Sequence, residues 1–313
     1  MKLVVTIPAF NEEGTIEKVI REIPKKIPGI GKIEVLVIDD GSADSTAKIA
    51  RSLGASVIRN PINRGLAFTF SRGLETAIEM GADIVVNTDA DFQYNQKQIP
   101  SLVAPILEGR ADIVLGSRFL GTIESMPAGK YWGNRAMSAM VSFLTGLAIS
   151  DSQTGFRAFS REAALKMNVF SDYTYTQETI LEAWEKNLSI LEVPADFRKR
   201  VGESRLISSI FVYAKKVGFT VIEGYMSYKP FRVFMALGFF ACLLGAGFGS
   251  RVLIHYIKTG LVSPYLPSAV LSSLLLVFGV QLIIAGLVAE MIKRNRKIQE
   301  QLLYEAKKAR TAK

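Results

Sequence analysis

Asp89 and Asp91 stand one residue apart in the stretch Asn87-Thr88-Asp89-Ala90-Asp91-Phe92-Gln93, directly after the strand-like run Ala82 to Val86. Two carboxylates at i and i+2 can hold a hard divalent cation. Mg²⁺ or Mn²⁺ takes oxygen ligands at roughly 2.0–2.2 Å and keeps room for waters and phosphate oxygens. Gln93 adds a further oxygen. Spacing by itself leaves two readings open, a metal pair or a capped turn at a strand end. Asp39 and Asp40 end another apolar run, in Ile38-Asp39-Asp40-Gly41-Ser42. A carboxylate there can accept hydrogen bonds from a nucleobase or ribose, although the same residues form an ordinary turn with Ser42 or Asp44 capping the next helix. Glu12, following Pro8, could serve likewise.

These groups need a scaffold that brings chain-distant loops together. Leu3 to Ile7, Ile33 to Ile38, Ala55 to Arg59, Ile84 to Thr88 and Ile113 to Gly116 read as strands, alternating with helical patterns at Thr15 to Ile23, Ser45 to Leu53, Leu66 to Met80 and Gln98 to Leu107. That alternation predicts an α/β fold with a mostly parallel sheet. Ligands of such sheets bind beyond the carboxyl ends of the strands, where strand order reverses, and the polar residues cluster there. Neither GxGxxG nor GxxxxGK[ST] occurs, so phosphate must be held by another device. Beyond residue 117 the rhythm loosens into a loop at Gly121 to Gly129, a helix from about Trp132 to Leu147, a turn at Asp151 to Gly155 and a helix through Glu178 to Lys186.

The chain has 313 residues and is 49% hydrophobic, which is apolar for a soluble enzyme. Phe234 to Ile257 and Ser268 to Ile292 run almost without charge, each long enough for the ~20 residues of a membrane-spanning helix. Residues 198–232 carry eight Lys or Arg against two Glu, and residues 293–313 carry the same. These basic clusters sit against the apolar spans and suit anionic lipid rather than nucleic acid. The positive-inside rule then puts both termini and the catalytic domain in the cytoplasm, in an integral protein of the cell membrane. A segment from Leu206 to Tyr228 reads as an amphipathic helix on the membrane surface. The expected division is 1–205 for the catalytic domain, 206–230 for the juxtamembrane helix, 231–293 for a two-helix transmembrane hairpin and 294–313 for a basic cytoplasmic tail. Cys242 is the single cysteine, so no disulfide framework or thiolate metal site is expected.

The motifs IPAFNEE, VIDDGSADST, NRG, DADFQ and GSR occur in the order and at the spacing of glycosyltransferase family 2, and residues 1–205 resemble its nucleotide-sugar-binding GT-A fold. GSRFL, DSQTGFRAFSREA and RKRVGESRL resemble the later motifs of its dolichol-phosphate mannose synthase and polyprenyl-phosphate branch. The resemblance implies that Pro8, Phe10, Glu12, Asp39 and Ala90 line the nucleotide pocket. Asp89 and Asp91, with Gln93, would hold Mg²⁺ or Mn²⁺ on the diphosphate. Arg118, Arg135 and Ser138 would meet the acceptor's phosphate, and Arg200 and Arg205 would contact the donor diphosphate or close a loop over it. Glu178 falls where other members keep a catalytic carboxylate, and also suits a sugar hydroxyl or a helix cap. Tyr94 stands where the relatives often have His, and Ser138 departs from the spacing of their acceptor serine.

The implied reaction is inverting transfer of a sugar from a GDP- or UDP-linked donor to dolichyl or polyprenyl phosphate, with Asp91, Arg118 and Glu178 as the catalytic set. A homo-oligomer is left open. Two rivals remain. A processive polysaccharide synthase would carry a QxxRW signature, which is absent, and more spans; a silent, membrane-tethered nucleotide-sugar-binding scaffold would not need the acidic pair and Arg135 intact.

Overall fold

In a computed structural model, residues 1–169, 175–199 and 230–311 are described. The expected amphipathic helix at 206–230, apart from its last residue, lies outside them. The first half of the chain alternates strand and helix: β1 Lys2–Ala9, α1 Ile16–Glu22, β2 Lys32–Asp39, α2 Thr46–Ser52, β3 Ser56–Arg59, α3 Leu66–Glu79, β4 Ile84–Asn87, α4 Ile99–Leu107 and β5 Ile113–Ser117. There follow α5 Ala128–Thr145, β6 Arg157–Ser160, α6 Arg161–Lys166, α7 Tyr175–Glu185 and β7 Ile190–Pro194.

Among the described residues seven strands form one sheet in the order β3-β2-β1-β4-β6-β5-β7. β1 pairs in parallel with both β2 and β4, so strand order reverses between β1 and β4. β1 is covered on both faces. Leu3, Val5 and Ile7 pack with Ile16, Val19, Ile99 and Leu102, whereas Val4 belongs with Leu36, Ile38, Phe70 and Leu74 of the opposite layer. This follows from the two-residue alternation of a strand buried between helix layers.

β6 runs antiparallel to both β4 and β5, and β7 runs parallel to β5. These two strands and α6 are additions to the sequence expectation. Arg157 opens β6 as a buried cation, and such a residue argues against a strand until its partners are known.

Two helices among the described residues are long and apolar enough to cross a membrane: α8 Pro230–Thr259 and α9 Leu266–Thr311. Small residues let them pack closely. A Cβ on Gly238 would sit 2.7 Å from the Gly279 carbonyl oxygen, and Ser272 Oγ donates to Gly245 O at 2.7 Å.

The chain divides into two compact units, residues 1–221 with 302–313, and residues 222–301. The last turns of α9, within the segment expected as a basic cytoplasmic tail, group with the first unit. Tyr304 donates to the Glu162 carboxylate at 3.0 and 3.2 Å. Lys307 Nζ reaches Met167 O at 3.1 Å, Asn168 Oδ1 at 2.9 Å and Glu75 at 3.3 Å. Leu303 and Ala306 line a small cavity with Ile78, Ala164 and Leu165. The apolar side of these turns gives the segment a reason to dock that its net charge hides.

Candidate active site

The carboxyl ends of β1, β2 and β4 lie side by side. Thr6 is in register with Asn87 and Ala9 with Asp39, and backbone pairing continues past the strands from Thr88 N to Thr6 O at 3.0 Å and from Asp40 N to Ala9 O at 2.8 Å. Pro8, Phe10, Asp39 and Asp89 therefore stand at or just past the neighbouring carboxyl ends of β1, β2 and β4, beside the reversal of strand order.

On the β2 side, Asp39 is fully buried; its Oδ1 accepts from Ser42 N at 2.9 Å and its Oδ2 faces Arg59 Nε at 3.2 Å. Asp40 accepts from Asn60 Nδ2 at 2.7 Å and from the backbone N–H groups of Arg64 and Gly65 at 2.9 Å each. It thereby ties the Asn-Arg-Gly turn under the β2 loop. Gly41 has φ +78°, and a Cβ there would lie 2.9 Å from the carbonyl carbon of Ile62, so glycine is required twice over. Asn11 joins this wall, donating from its N–H to Ser42 Oγ at 2.9 Å and accepting from Ala43 N at 2.8 Å. Glu12 is half-buried and accepts from Thr15 Oγ1 at 2.9 Å.

On the β4 side, Asp89 and Asp91 are half-buried with Ala90 buried between them. Asp91 Oδ1 accepts from Gln93 N at 3.1 Å. Phe92, between Asp91 and Gln93, adopts φ +61°. A bulky side chain in the left-handed region costs of order 1–3 kcal/mol and persists only where the surroundings enforce it. The enforcing partner is Arg198. It lies 4.4 Å from the Phe92 ring, donates from its N–H to Gln93 O at 2.7 Å, receives Gln93 Nε2 on its own carbonyl at 3.3 Å, and grips Glu22 through both terminal nitrogens at 2.8 and 2.7 Å. Burial raises the Glu22 pKa, but the bonds and charge of Arg198 outweigh it and leave the carboxyl below its ordinary range.

Beneath the acidic pair lies a buried floor. The Tyr94 hydroxyl accepts from Gly155 N at 2.9 Å, and its ring stacks on Phe156 at 5.2 Å. Burial pushes this phenol well above its ordinary pKa, as it does that of Tyr175. Gly155 faces Asp89 so closely that an added Cβ would sit 2.8 Å from Asp89 Oδ1 and 2.9 Å from the Tyr175 hydroxyl. Thr88 Oγ1 is buried and has no hydrogen-bond partner among the described residues.

Arg118, expected at the acceptor's phosphate, is 4% exposed, and Asp151 receives its Nε and Nη2 at 2.7 Å each and its backbone N–H at 3.0 Å. Burial alone would lower its pKa, but the Asp151 bonds prevail and raise it. Asp151 N and Ser150 N in turn rest on the Glu192 carboxylate at 2.9 and 2.8 Å. Arg157 is also fully buried. It donates to the carbonyls of Thr154 at 2.7 Å, Thr176 at 2.7 Å and Ser152 at 3.0 Å, pinning both ends of the 151–155 turn.

Arg135 is exposed on α5, with its guanidinium 5.3 Å from the Phe119 ring. Ser138 is buried on the inward side of the same helix, where its Oγ accepts from Ser152 N at 2.9 Å. Glu178 is half-buried in the first turn of α7. Arg200 and Arg205 lie outside the described residues. Asp151, Gly155, Arg157 and Arg198 carry no individual role in the sequence reading, although DSQTGFRAFSREA holds the first three and RKRVGESRL opens on Arg198.

The donor set fits a divalent cation. No group of three or more His, Cys, Asp or Glu side chains converges among the described residues. Two carboxylates at a strand end, with Gln93 and an unpartnered threonine hydroxyl close in sequence, leave most of an octahedral shell to phosphate oxygens and water, as a Mg²⁺ or Mn²⁺ site does.

The chain is 32% identical over 213 residues to the UDP-N-acetylglucosamine–dolichyl-phosphate N-acetylglucosaminyltransferase of Methanococcus voltae, covering 60% of this chain and 82% of that one. It is 33% identical over 207 residues to the dolichyl-phosphate hexose transferase of Haloferax volcanii, covering 65% and 86%. Among solved structures, glucosyl-3-phosphoglycerate synthase from Mycobacterium tuberculosis, in complex with Mn²⁺, UDP and glucosyl-3-phosphoglycerate, superposes with a TM-score of 0.51 at 21% identity over 72% of this chain and 79% of that one. This likeness extends to the fold, a GT-A α/β domain. The model of glycosyl transferase family 2 matches residues 4–167, and the chain belongs to that family.

Proposed function

We propose that the protein transfers a sugar from a nucleotide diphosphate sugar to a polyprenyl phosphate, with inversion at the anomeric carbon. The observation that carries this reading is the placement of Asp39 at the end of β2 and of Asp89 and Asp91 just past the end of β4, on either side of β1 where strand order reverses, in a chain with two helices of membrane-crossing length. The dolichyl-phosphate acceptors in the relatives' names support the lipid side of it. The finer choices, GDP-mannose against UDP-glucose or UDP-N-acetylglucosamine, follow from the resemblance alone.

In the proposed mechanism Pro8, Phe10, Glu12, Asp39 and Ala90 wall the nucleoside; Arg200 and Arg205, outside the described residues, are assigned by the resemblance alone to contact the donor diphosphate or close a loop over it. Asp89 and Asp91, with Gln93, would hold Mg²⁺ or Mn²⁺, which would supply neutralisation of charge on the leaving diphosphate. Arg135 recruits the acceptor's phosphate; Ser138, expected there too, is buried and bonded to Ser152 N, and with Arg118, locked to Asp151, it sets the 151–155 turn. An oxygen of the lipid phosphate forms a bond to the anomeric carbon as the bond to the nucleoside diphosphate breaks, and the bonding pair leaves with the diphosphate. A phosphate monoester has a second pKa of about 6, so the nucleophile is largely ionised at neutral pH and needs no strong base. Glu178 then serves a sugar hydroxyl rather than a proton transfer. The site works from the cytoplasmic face of the cell membrane.

Incubating purified full-length protein with polyprenyl phosphate, Mn²⁺ or Mg²⁺ and a panel of labelled nucleotide sugars tests the reading. It predicts label in a lipid-extractable product from one donor class. Absence of label with every donor would favour the scaffold alternative.

A further inference from the structure

The apolar part of α8 is bounded by a cation at each end. Arg232 opens it, Val233 to Ser250 carry no charge, and Arg251 closes it. The steps from Arg232 to Arg251 span about 28 Å of helix, close to the ~30 Å hydrocarbon core of a bilayer. His255 and Lys258 follow Arg251 at intervals of four and three residues, so the three side chains leave α8 within about 60° of one another. Arg251 and Lys258 are exposed and His255 is half-buried. The link into α9 folds over the same side of the helix. The Tyr265 ring lies 4.6 Å from the Arg251 guanidinium and 4.9 Å from the His255 ring, which meets it edge-on, and His255 Nε2 donates to Ser263 O at 2.9 Å.

This end of the hairpin holds no carboxylate to balance its cations. Residues 230–289 contain neither Asp nor Glu. The first acidic residue beyond them, Glu290, stands toward the opposite end, past the point where a Cβ on Gly286 would sit 2.9 Å from Phe234. A single arginine at a helix end can reach the interface and stay in water. Two exposed cations on one face, with an imidazole and a phenol ring packed beside them, form a concentrated anion-binding surface instead. We propose that the end of the hairpin remote from Arg232 binds the head-group phosphate of an anionic phospholipid, held by Arg251 and Lys258, with Tyr265 and His255 fixing the side of α8 on which it sits. Arg offers a planar fork to phosphate oxygens and Lys a point charge. Ionisable groups at the margin of an apolar span need such a partner, and lipid phosphate is the anion found at that depth. A second copy of the chain fits less well, because a twofold contact here would set these cations against their own copies with no acidic group between them.

The inference rests on the reading of α8 and α9 as membrane-crossing helices and is independent of which sugar is transferred. Native mass spectrometry of the full-length protein, released from mixed micelles of phosphatidylglycerol and phosphatidylcholine, counts the lipids that stay bound. Wild type is expected to keep phosphatidylglycerol in preference to phosphatidylcholine, and Arg251→Gln combined with Lys258→Gln to keep one phosphatidylglycerol fewer per chain. If the double variant fails to fold, Lys258→Gln alone, at an exposed position, should lower retention in the same direction. Equal retention by wild type and variants would overturn the proposal, as would phosphatidylcholine held as firmly as phosphatidylglycerol. Displacement of the lipid by inorganic phosphate would assign the surface to a free anion and overturn it too. The crossing is read separately in sealed vesicles, from Ser263→Cys and Thr311→Cys, each in a Cys242→Ser background and labelled with an impermeant maleimide. Labelling from opposite faces supports the crossing, and labelling from one face would sink it together with this site. Crossing without the difference in retained lipid would sink the lipid site alone.

Discussion

Gly155 and Asp89 are in direct contact: a methyl group on residue 155 would sit 2.8 Å from one carboxylate oxygen of Asp89 and 3.0 Å from the other. Gly155 is not among the positive-φ glycines, so its backbone would accept alanine; the space would not. Gly155→Ala is therefore expected to displace Asp89 and weaken Mn²⁺ binding about tenfold, equivalent to about 1.4 kcal/mol. Electron paramagnetic resonance of free Mn²⁺ titrated with the full-length protein measures it. Unchanged affinity would detach Asp89 from the metal.

Arg118 and Asp151 form a pair that burial makes costly to break. Asp151→Ala would leave Arg118 charged and without its partner inside the fold, at an expected cost of about 3–5 kcal/mol. Chemical denaturation in detergent reads the loss. Replacing both members with apolar residues of similar size should recover most of the stability while sacrificing activity, because the 151–155 turn loses its anchor.

The Glu22–Arg198 clamp predicts a pH effect with a defined sign. Its carboxyl pKa is lowered in the fold from an ordinary value of 4.5. Its contribution is therefore complete above pH 4.5 and is lost as pH falls through the folded value below it. Glu34, Asp44, Glu162 and Asp196 shift in the same direction. Acid destabilisation should thus persist in Glu22→Gln but with a shallower slope, measured as denaturation midpoints between neutral pH and pH 3. An unchanged slope would remove the clamp from the account.

The end of α9 gives a fourth test. Deleting residues 302–313 removes Tyr304 from Glu162 and Lys307 from Glu75 and Asn168. The expected result is a lower melting temperature for the catalytic unit, whereas a solvated tail would be dispensable.

The parts of this molecule that the sequence discloses are those with local periodicity. β1 to β5 with their helices, and the two apolar spans, follow from runs of Val, Ile and Leu. The acidic pair is visible because both carboxylates come from one loop. What stays hidden depends on partners far along the chain. Arg157 becomes a strand residue because carbonyls of residues 152, 154 and 176 satisfy it. Arg118 is held by a carboxylate 33 residues away. Phe92 keeps a left-handed backbone through Arg198. The docked end of α9 reads as a basic tail because its few apolar side chains are outnumbered by charge.

The central claim is that Asp89 and Asp91 serve metal-assisted sugar transfer to a lipid phosphate. The most direct measurement is turnover of labelled nucleotide sugar into lipid by Asp91→Asn, made on protein whose melting temperature matches wild type. The account predicts loss of transfer by at least a factor of about 100, comparable to deleting one electrostatic stabiliser of a transition state. Wild-type turnover in the folded variant would contradict it.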